Sequence, residues 1–136
     1  MLNKDRIELS KVRLEKAVDD LNVARKNLTT GHFKAANNRA YYAMFHGIRA
    51  MLALDCIDFK THSKLIGYFN KNYVHTGIID RTFGSIVRNA SNSRNNSDYS
   101  DFYIATKEEA EQNISGAEKL LKVIEQHIET RLESGG

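Results

Sequence analysis

The sequence has no proline, no tryptophan and a single cysteine among its 136 residues. Without proline, nothing in the chain blocks long uninterrupted helices. One thiol closes no internal disulfide and supplies no zinc knuckle, which excludes a disulfide scaffold and a Cys-based metal site; Cys56 reads as a small, semi-buried thiol. No apolar run approaches the roughly 18 to 20 residues a membrane helix needs, and the start, MLNKDRIELSKVR, lacks the apolar core of a secretory signal. With a mean hydropathy of -0.50, a cytoplasmic protein is expected. No histidine pair has zinc-binding i, i+4 spacing with a carboxylate, no Gly-rich phosphate loop is present, and no Ser or Cys sits in a nucleophile motif. Metal hydrolysis, kinase-like chemistry and a bound cofactor or metal are therefore not expected.

What is present suits one domain over residues 1–136, with a core at about 5–130. Lys and Arg total 20 against 17 Asp and Glu, a net charge of +3. That mild excess is compatible with a polyanionic partner and proves none. The acids crowd the C-terminal third, whereas residues 31–94 carry most of the Arg and all but one of the His.

Hydrophobic spacing predicts five helices. Ile7, Leu14, Leu21 and Leu28 recur every seven residues, with Ala17 and Ala24 between them, marking a first helix over 5–29 that stops at Thr29-Thr30-Gly31. Residues 33–54 are apolar around most of their circumference, as in a central helix. Within it Ala36, Ala40, Ala43, Gly47 and Ala50 form a small-residue seam for close packing. Thr61 can cap a third helix bearing Leu65, Ile66, Phe69 and Tyr73, ended by His75-Thr76-Gly77, and Asp80 can cap a fourth bearing Phe83, Ile86, Val87 and Ala90. From Ser91 the apolar pattern gives way to SNSRNNSDYSD, the oddest stretch of the chain. Thr106 and Glu109 form a capping box at the start of a fifth helix with Ala110, Ile114, Ala117, Leu121, Ile124 and Ile128 inward, and a frayed tail is expected after Leu132. The expectation is an all-α, up-and-down-like bundle in which helices one, two and five pack antiparallel and three and four complete it. The stripes of the first and last helices could each also form an intersubunit seam, so a homodimer is compatible with the pattern.

Two polar features stand out. Arg39, Tyr42, His46 and Arg49, at i, i+3, i+7 and i+10, make one stripe on the apolar second helix. Such a stripe suits a phosphate, through Arg donors and a titratable imidazole, or meets carboxylates inside the bundle. The run Arg94-Asn95-Asn96-Ser97-Asp98-Tyr99, with Asp101 and Tyr103 beyond, offers a guanidinium for phosphate, amides for base edges or ribose, and a ring for stacking. The alternative is a helix end dissolving into an Asn- and Ser-rich loop. His62 could add a basic contact near that loop; His32 and His127 look like surface residues.

Three ordered blocks, NRAYYAMFHGIRAML at 38–52, KTHSKLI at 60–66 and RNNSDY at 94–99, resemble the bacterial and archaeal HEPN domain, named for higher eukaryote and prokaryote nucleotide-binding. The resemblance extends over about residues 5–130. It implies a five-helix bundle, commonly homodimeric, often encoded beside a minimal nucleotidyltransferase in a toxin and antitoxin pair, many members being metal-independent RNases. Their signature joins an Arg and a polar residue to a His a few positions on, with two copies meeting at the dimer interface. Arg94 and Asn95 match its first half; Asp98, Tyr99, Ser100 and Asp101 stand where the His would be. Tyr at about 10 and Asp at about 4 are poorly poised for proton transfer near neutrality. His46 or His62 would have to take that role beside Arg94. The resemblance also makes Tyr99 and Tyr103 candidate acceptors of adenylylation by the partner.

Three functions follow as alternatives. The first is a HEPN-type nucleotide- or RNA-binding partner of a minimal nucleotidyltransferase, using Arg39, Tyr42, Arg49, His62, Arg94, Asn95, Asp98 and Tyr99. The second is an active metal-independent endoribonuclease toxin with Arg94 and a substitute histidine, His46 foremost. The third is a non-catalytic helical adaptor whose polar stripe is an internal ion network.

Overall fold

The computed structural model describes residues 3–135, and within them the chain folds into five α-helices: α1 (Lys4–Thr29), α2 (Phe33–Ala53), α3 (His62–Phe69), α4 (Thr82–Tyr99) and α5 (Lys107–Glu133). One π-helical turn, Asn70–Val74, extends α3. No strand occurs among the described residues, so the all-α architecture is as the periodicity implies. None of the helices is long and apolar enough to cross a membrane.

Side chains and turns set the helix ends. Asn3 accepts from the Asp5 and Arg6 amides, and Thr61 accepts from Lys64 N–H. Gly31, at φ +80°, closes α1 through a His32 N–H to Asn27 C=O bond, a left-handed position that glycine occupies without strain. Asp80 takes the Thr82 amide and hydroxyl at the start of α4. At α5 only half of the expected capping box forms. Thr106 accepts from Glu109 N–H, but the Glu109 carboxylate turns away to accept from Ser93 and Tyr103.

Helix α2 is the axis of the bundle. Ala36, Ala40, Ala43 and Ala50 are fully buried, and a methyl added at Gly47 would lie 2.5 Å from a Leu121 methyl. The small-residue seam is therefore what lets α5 approach. The three long helices are not mutually antiparallel. Arg25 pairs with Glu118, and Leu14 and Val18 lie near Glu125, so α1 and α5 run oppositely. Asn37 meets Asn113 while Gly47 meets Leu121 and Ile124, which makes α2 and α5 parallel. That follows from an up-and-down order in which α2 and α5 are both down-strokes.

Of the seven-residue stripe of α1, Leu21 is buried and Ile7, Leu14 and Leu28 pack half-buried against the core, with Ala17 and Ala24 buried between them; Ala110, Ile114, Ala117, Leu121, Ile124 and Ile128 of α5 are buried. The polar run after Ser91 stays helical to Tyr99 because other helices satisfy it. Asn37 donates to Ser97, Asn38 donates to Asp98, and Ser93 donates to Glu109. Two smaller expectations also change. Cys56 is exposed at φ +59° in the turn after α2, and His127 is half-buried edge-on to Tyr73. The last helix ends at Glu133 with Ser134 as its cap.

Candidate functional site

The first half of the site is α2's polar stripe. Along it Arg39, Tyr42 and Arg49 are partly exposed and His46 is buried. The second half is the last two turns of α4, which run antiparallel to α2 and bring Arg94 to Tyr42 across 52 residues of sequence.

Arg94 is the centre. Its Nη2 donates to the Tyr42 hydroxyl at 2.9 Å and its Nη1 to Asn95 Oδ1 at 3.1 Å. The guanidinium carbon lies 5.6, 5.4 and 5.6 Å from the ring centres of Tyr41, Tyr42 and Tyr99. Asp98 Oδ2 is 3.2 Å from Arg94 Nε, but the N–H is not aligned for a hydrogen bond, and the same oxygen accepts from Asn38. The cation is thus held by rings and neutral oxygens as much as by its one carboxylate neighbour. Each face-on contact of this kind contributes about 0.5–1 kcal/mol where exposed.

His62 joins the same platform from α3. Its Nδ1 is 2.8 Å from the Tyr41 hydroxyl, and its ring stacks on Phe45 at 4.2 Å between centres. Burial, then the charges of Arg94 and Arg49, push its pKa below the usual value of 6.5. The neutral imidazole is therefore favoured. Tyr41, beneath it, is almost fully buried and pushed up to about 12, chiefly by burial, so it is a donor and not a base.

His46 points elsewhere. Its ring is buried, Nε2 is 3.8 Å from Asp20 Oδ2 of α1, and Nδ1 has no partner. Burial, then Lys16, Arg49, Arg39 and Arg13, lower its pKa to about 4. Asp20, raised by its own burial, is held by Arg39 at 3.1 Å. At the other end of the stripe, Arg49 grips Asp58 at 2.8 and 3.2 Å, and Arg13 joins them at 3.1 Å. Arg39, His46 and Arg49 thus meet acids within the fold, which is the second of the two readings of the stripe.

The structure therefore brings together Tyr42, His62, Arg94, Asn95, Asp98 and Tyr99; Arg39 borders them, over the Tyr42 ring at 4.9 Å and bonded to Asn38 as well as to Asp20, while His46 and Arg49 are turned toward Asp20 and Asp58. Tyr99 is 74% exposed; the Tyr103 hydroxyl is bound to Glu109 and pushed up to about 12, by burial first and by that carboxylate second. Tyr41, Phe45 and Asn38 belong to the platform and escaped sequence reasoning. Their signal was the Tyr41-Tyr42 pair and the Asn37-Asn38 pair on an apolar helix. Asp20, Asp58 and Arg13 carried no local signal at all. Among the described residues no group of three or more His, Cys, Asp or Glu side chains is placed to hold a metal ion.

Chemically, such a seam presents one strong, partly exposed anion donor, a neutral imidazole, and aromatic surface beside amide and carboxylate acceptors. The profile of the HEPN domain matches residues 10–127. A UPF0332 protein of Thermotoga maritima is 30% identical over 90% of this chain and 91% of its own. A Methanocaldococcus jannaschii protein named "Putative toxin" is 32% identical over 94% of this chain and 95% of its own. The crystal structure of TT1696 from Thermus thermophilus superposes with a TM-score of 0.74 at 18% identity, covering 86% of this chain and 96% of that one, and so shares its fold.

Proposed function

The chain belongs to the HEPN domain family, and on that premise we propose that it binds RNA or a nucleotide at the α2–α4 seam, as the partner of a minimal nucleotidyltransferase in a toxin-antitoxin-type pair. The observation that carries this reading is the state of Arg94. Its guanidinium lies near the rings of Tyr41, Tyr42 and Tyr99, its terminal nitrogens donate to neutral oxygens, and its carboxylate neighbour is out of line, whereas Arg39, over the same Tyr42 ring, also donates to Asp20. A phosphate that replaces Asp98 gains a bidentate donor, Asn95 and Asp98 face base or sugar edges, and exposed Tyr99 offers a stacking surface. The names of the M. jannaschii relatives, "Putative toxin", support the toxin side of the pair.

In this reading Arg39 and Arg49 hold the stripe to α1 and to the α2–α3 turn and do not contact ligand. The protein works as a homodimer in which two such seams face one another. Apolar side chains exposed beside the site support this: Phe102 and Ile104, 96% and 84% exposed. Tyr99 is also the better acceptor for adenylylation, since the Tyr103 hydroxyl is occupied by Glu109.

A second reading, a metal-independent endoribonuclease, is favoured by one specific observation. His62 shares the Tyr41 ring with Arg94, whereas buried His46 faces Asp20, so of the two histidines His62 is the one beside Arg94. Induced expression in a bacterial host tests both readings. Growth arrest by wild type, lost in Arg94→Ala and in His62→Gln, establishes the RNase. Harmless wild type that nevertheless copurifies with a small nucleotidyltransferase and binds RNA through Arg94 establishes the binding partner. A monomer that binds neither RNA nor nucleotide overturns the proposal and leaves the helical adaptor.

A further inference from the structure

Away from the α2–α4 seam, a second cavity of about 230 Å³ opens between the π-helical turn and the first turns of α4. Its wall includes His75, Arg81, Ser85 and Arg88, with Asn70 behind them and Gly84 at its floor. No carboxylate lines it. Arg88 donates only to Ser85, at 3.4 Å, and neither Arg81 nor Arg88 has an ion-pair partner among the described residues. The nearest acid in sequence, Asp80, spends its carboxylate on the Thr82 amide and hydroxyl. Asn70 Oδ1 is buried and unpartnered. By contrast, Arg13, Arg39, Arg49 and Arg131 all grip carboxylates. Two unpaired guanidiniums and a hydroxyl around an acid-free cavity are the donor set of a phosphate, and a buried free acceptor beside them suits the hydroxyl of a ribose.

The same helix links this cavity to the first site. Arg81, Ser85, Arg88, Asn92, Asn95 and Tyr99 recur at i, i+4, i+7, i+11, i+14 and i+18, and all are exposed, so they form one solvent-facing stripe. It runs about 27 Å at 1.5 Å per residue and carries donors and a ring but no acid. It ends at Asn95 and Tyr99, both of which touch Arg94.

We infer that the cavity at Arg81 and Arg88 is a second phosphate anchor for the RNA strand held at Arg94, and that the strand lies along the outer face of α4. The inference rests on the RNA reading above and adds the course of the strand. At the stacked spacing of about 3.4 Å per nucleotide the stripe takes about eight nucleotides. A short oligonucleotide reaches one anchor, and a longer one reaches both.

Fluorescence anisotropy with 5'-labelled oligouridylates of three and ten nucleotides, over a series of salt concentrations, tests this. Wild type binds the ten-mer at least tenfold more tightly than the three-mer. The steeper salt dependence amounts to about 1.4 in the slope of log K against log salt, two phosphates at about 0.7 each for a single strand. Arg81→Gln/Arg88→Gln removes both differences and leaves three-mer affinity as in wild type, whereas Arg81→Lys/Arg88→Lys keeps the slope. Both side chains are exposed, so the fold survives, which circular dichroism verifies. If the glutamine pair binds both lengths as wild type does while Arg94→Gln loses both, the second anchor is overturned and the first site stands. Equal weakening of both lengths by the glutamine pair also overturns it, since that is a diffuse charge effect. If wild type binds neither length, the RNA reading falls and the second anchor with it.

Discussion

Arg49 and Arg94 both border the polar stripe of α2, both approach an aromatic ring, and both have an aspartate within 3.2 Å, yet their states differ. Asp58 comes from the turn after α2, takes two guanidinium nitrogens of Arg49, and is shared with Arg13, whose own pKa falls through burial and the Arg49 charge beside it. The Asp58 carboxyl is held below the usual range, chiefly by its hydrogen bond to Arg49. Asp98 lies one turn beyond Arg94 on the same helix, meets only Nε, out of line, and is bound to Asn38. Arg49 spends two aligned nitrogens on its aspartate, whereas the terminal nitrogens of Arg94 go to the neutral oxygens of Asn95 and Tyr42. What separates structural from binding cations in this bundle is the direction of the carboxylate, more than the spacing of the arginines.

The largest stability effect comes from the frame under Arg94. Asn113 donates to Asn37, and Asn37 in turn donates to Ser97 near the end of α4. Asn113→Ala strands the Asn37 carbonyl in the core and costs about 1–3 kcal/mol of unfolding free energy, read from denaturant midpoints. Gly47→Ala drives a methyl into Leu121 and costs about 1–2 kcal/mol while leaving the Arg94 contacts in place. Weaker RNA binding in the first variant and not in the second would tie the α4 end to function.

The buried half of the stripe makes a pH-dependent prediction. His46, lowered from 6.5 to about 4, stays neutral in the folded chain while the unfolded chain takes up a proton below pH 6.5. Stability therefore declines as pH falls from about 6.5 toward 4. Asp20, raised by burial, protonates before its unfolded counterpart and opposes the fall at the acid end. Thermal melts between pH 7 and 4.5 should show the decline in wild type and lose most of it in His46→Gln; an unchanged profile in the variant would place the titrating group elsewhere.

Smaller effects sharpen the contrast between the two arginines. Tyr42→Phe removes one acceptor from Arg94 and keeps the ring, so RNA affinity should fall about threefold, within the 0.5–1.5 kcal/mol of one hydrogen bond, with melting nearly unchanged. Arg49→Gln should lower stability by about 0.5–1 kcal/mol, as a half-exposed ion pair does, and leave RNA affinity within about twofold.

Much of the frame was legible because helices announce themselves locally. The Leu14, Leu21 and Leu28 spacing, the Gly31 stop and the Thr61 and Thr106 caps each depend on neighbours within a turn or two. That α5 packs directly beside α2 was not legible, since it depends on which helices share the core. Residues 94–99 could be placed at the C-terminal end of the fourth helix, but what holds that end was not legible, since its support comes from Asn37, Asn38 and Glu109 on other helices. The same limit applies to the site. Arg94, Tyr42 and His62 could be named from their residue types and the family pattern, but which arginines are neutralised depended on Asp20 and Asp58, one of them on a different helix.

The most direct test of the account sets the two arginines side by side. Labelled ten-nucleotide RNA titrated into wild type, Arg94→Gln and Arg49→Gln at one salt concentration should give about thirtyfold weaker binding for Arg94→Gln, the loss of about 2 kcal/mol expected of a charged hydrogen bond to phosphate, and near-wild-type binding for Arg49→Gln. Equal affinity of Arg94→Gln and wild type, or an equal loss in both variants, would contradict the claim that Arg94 is the cation the fold leaves free for a ligand.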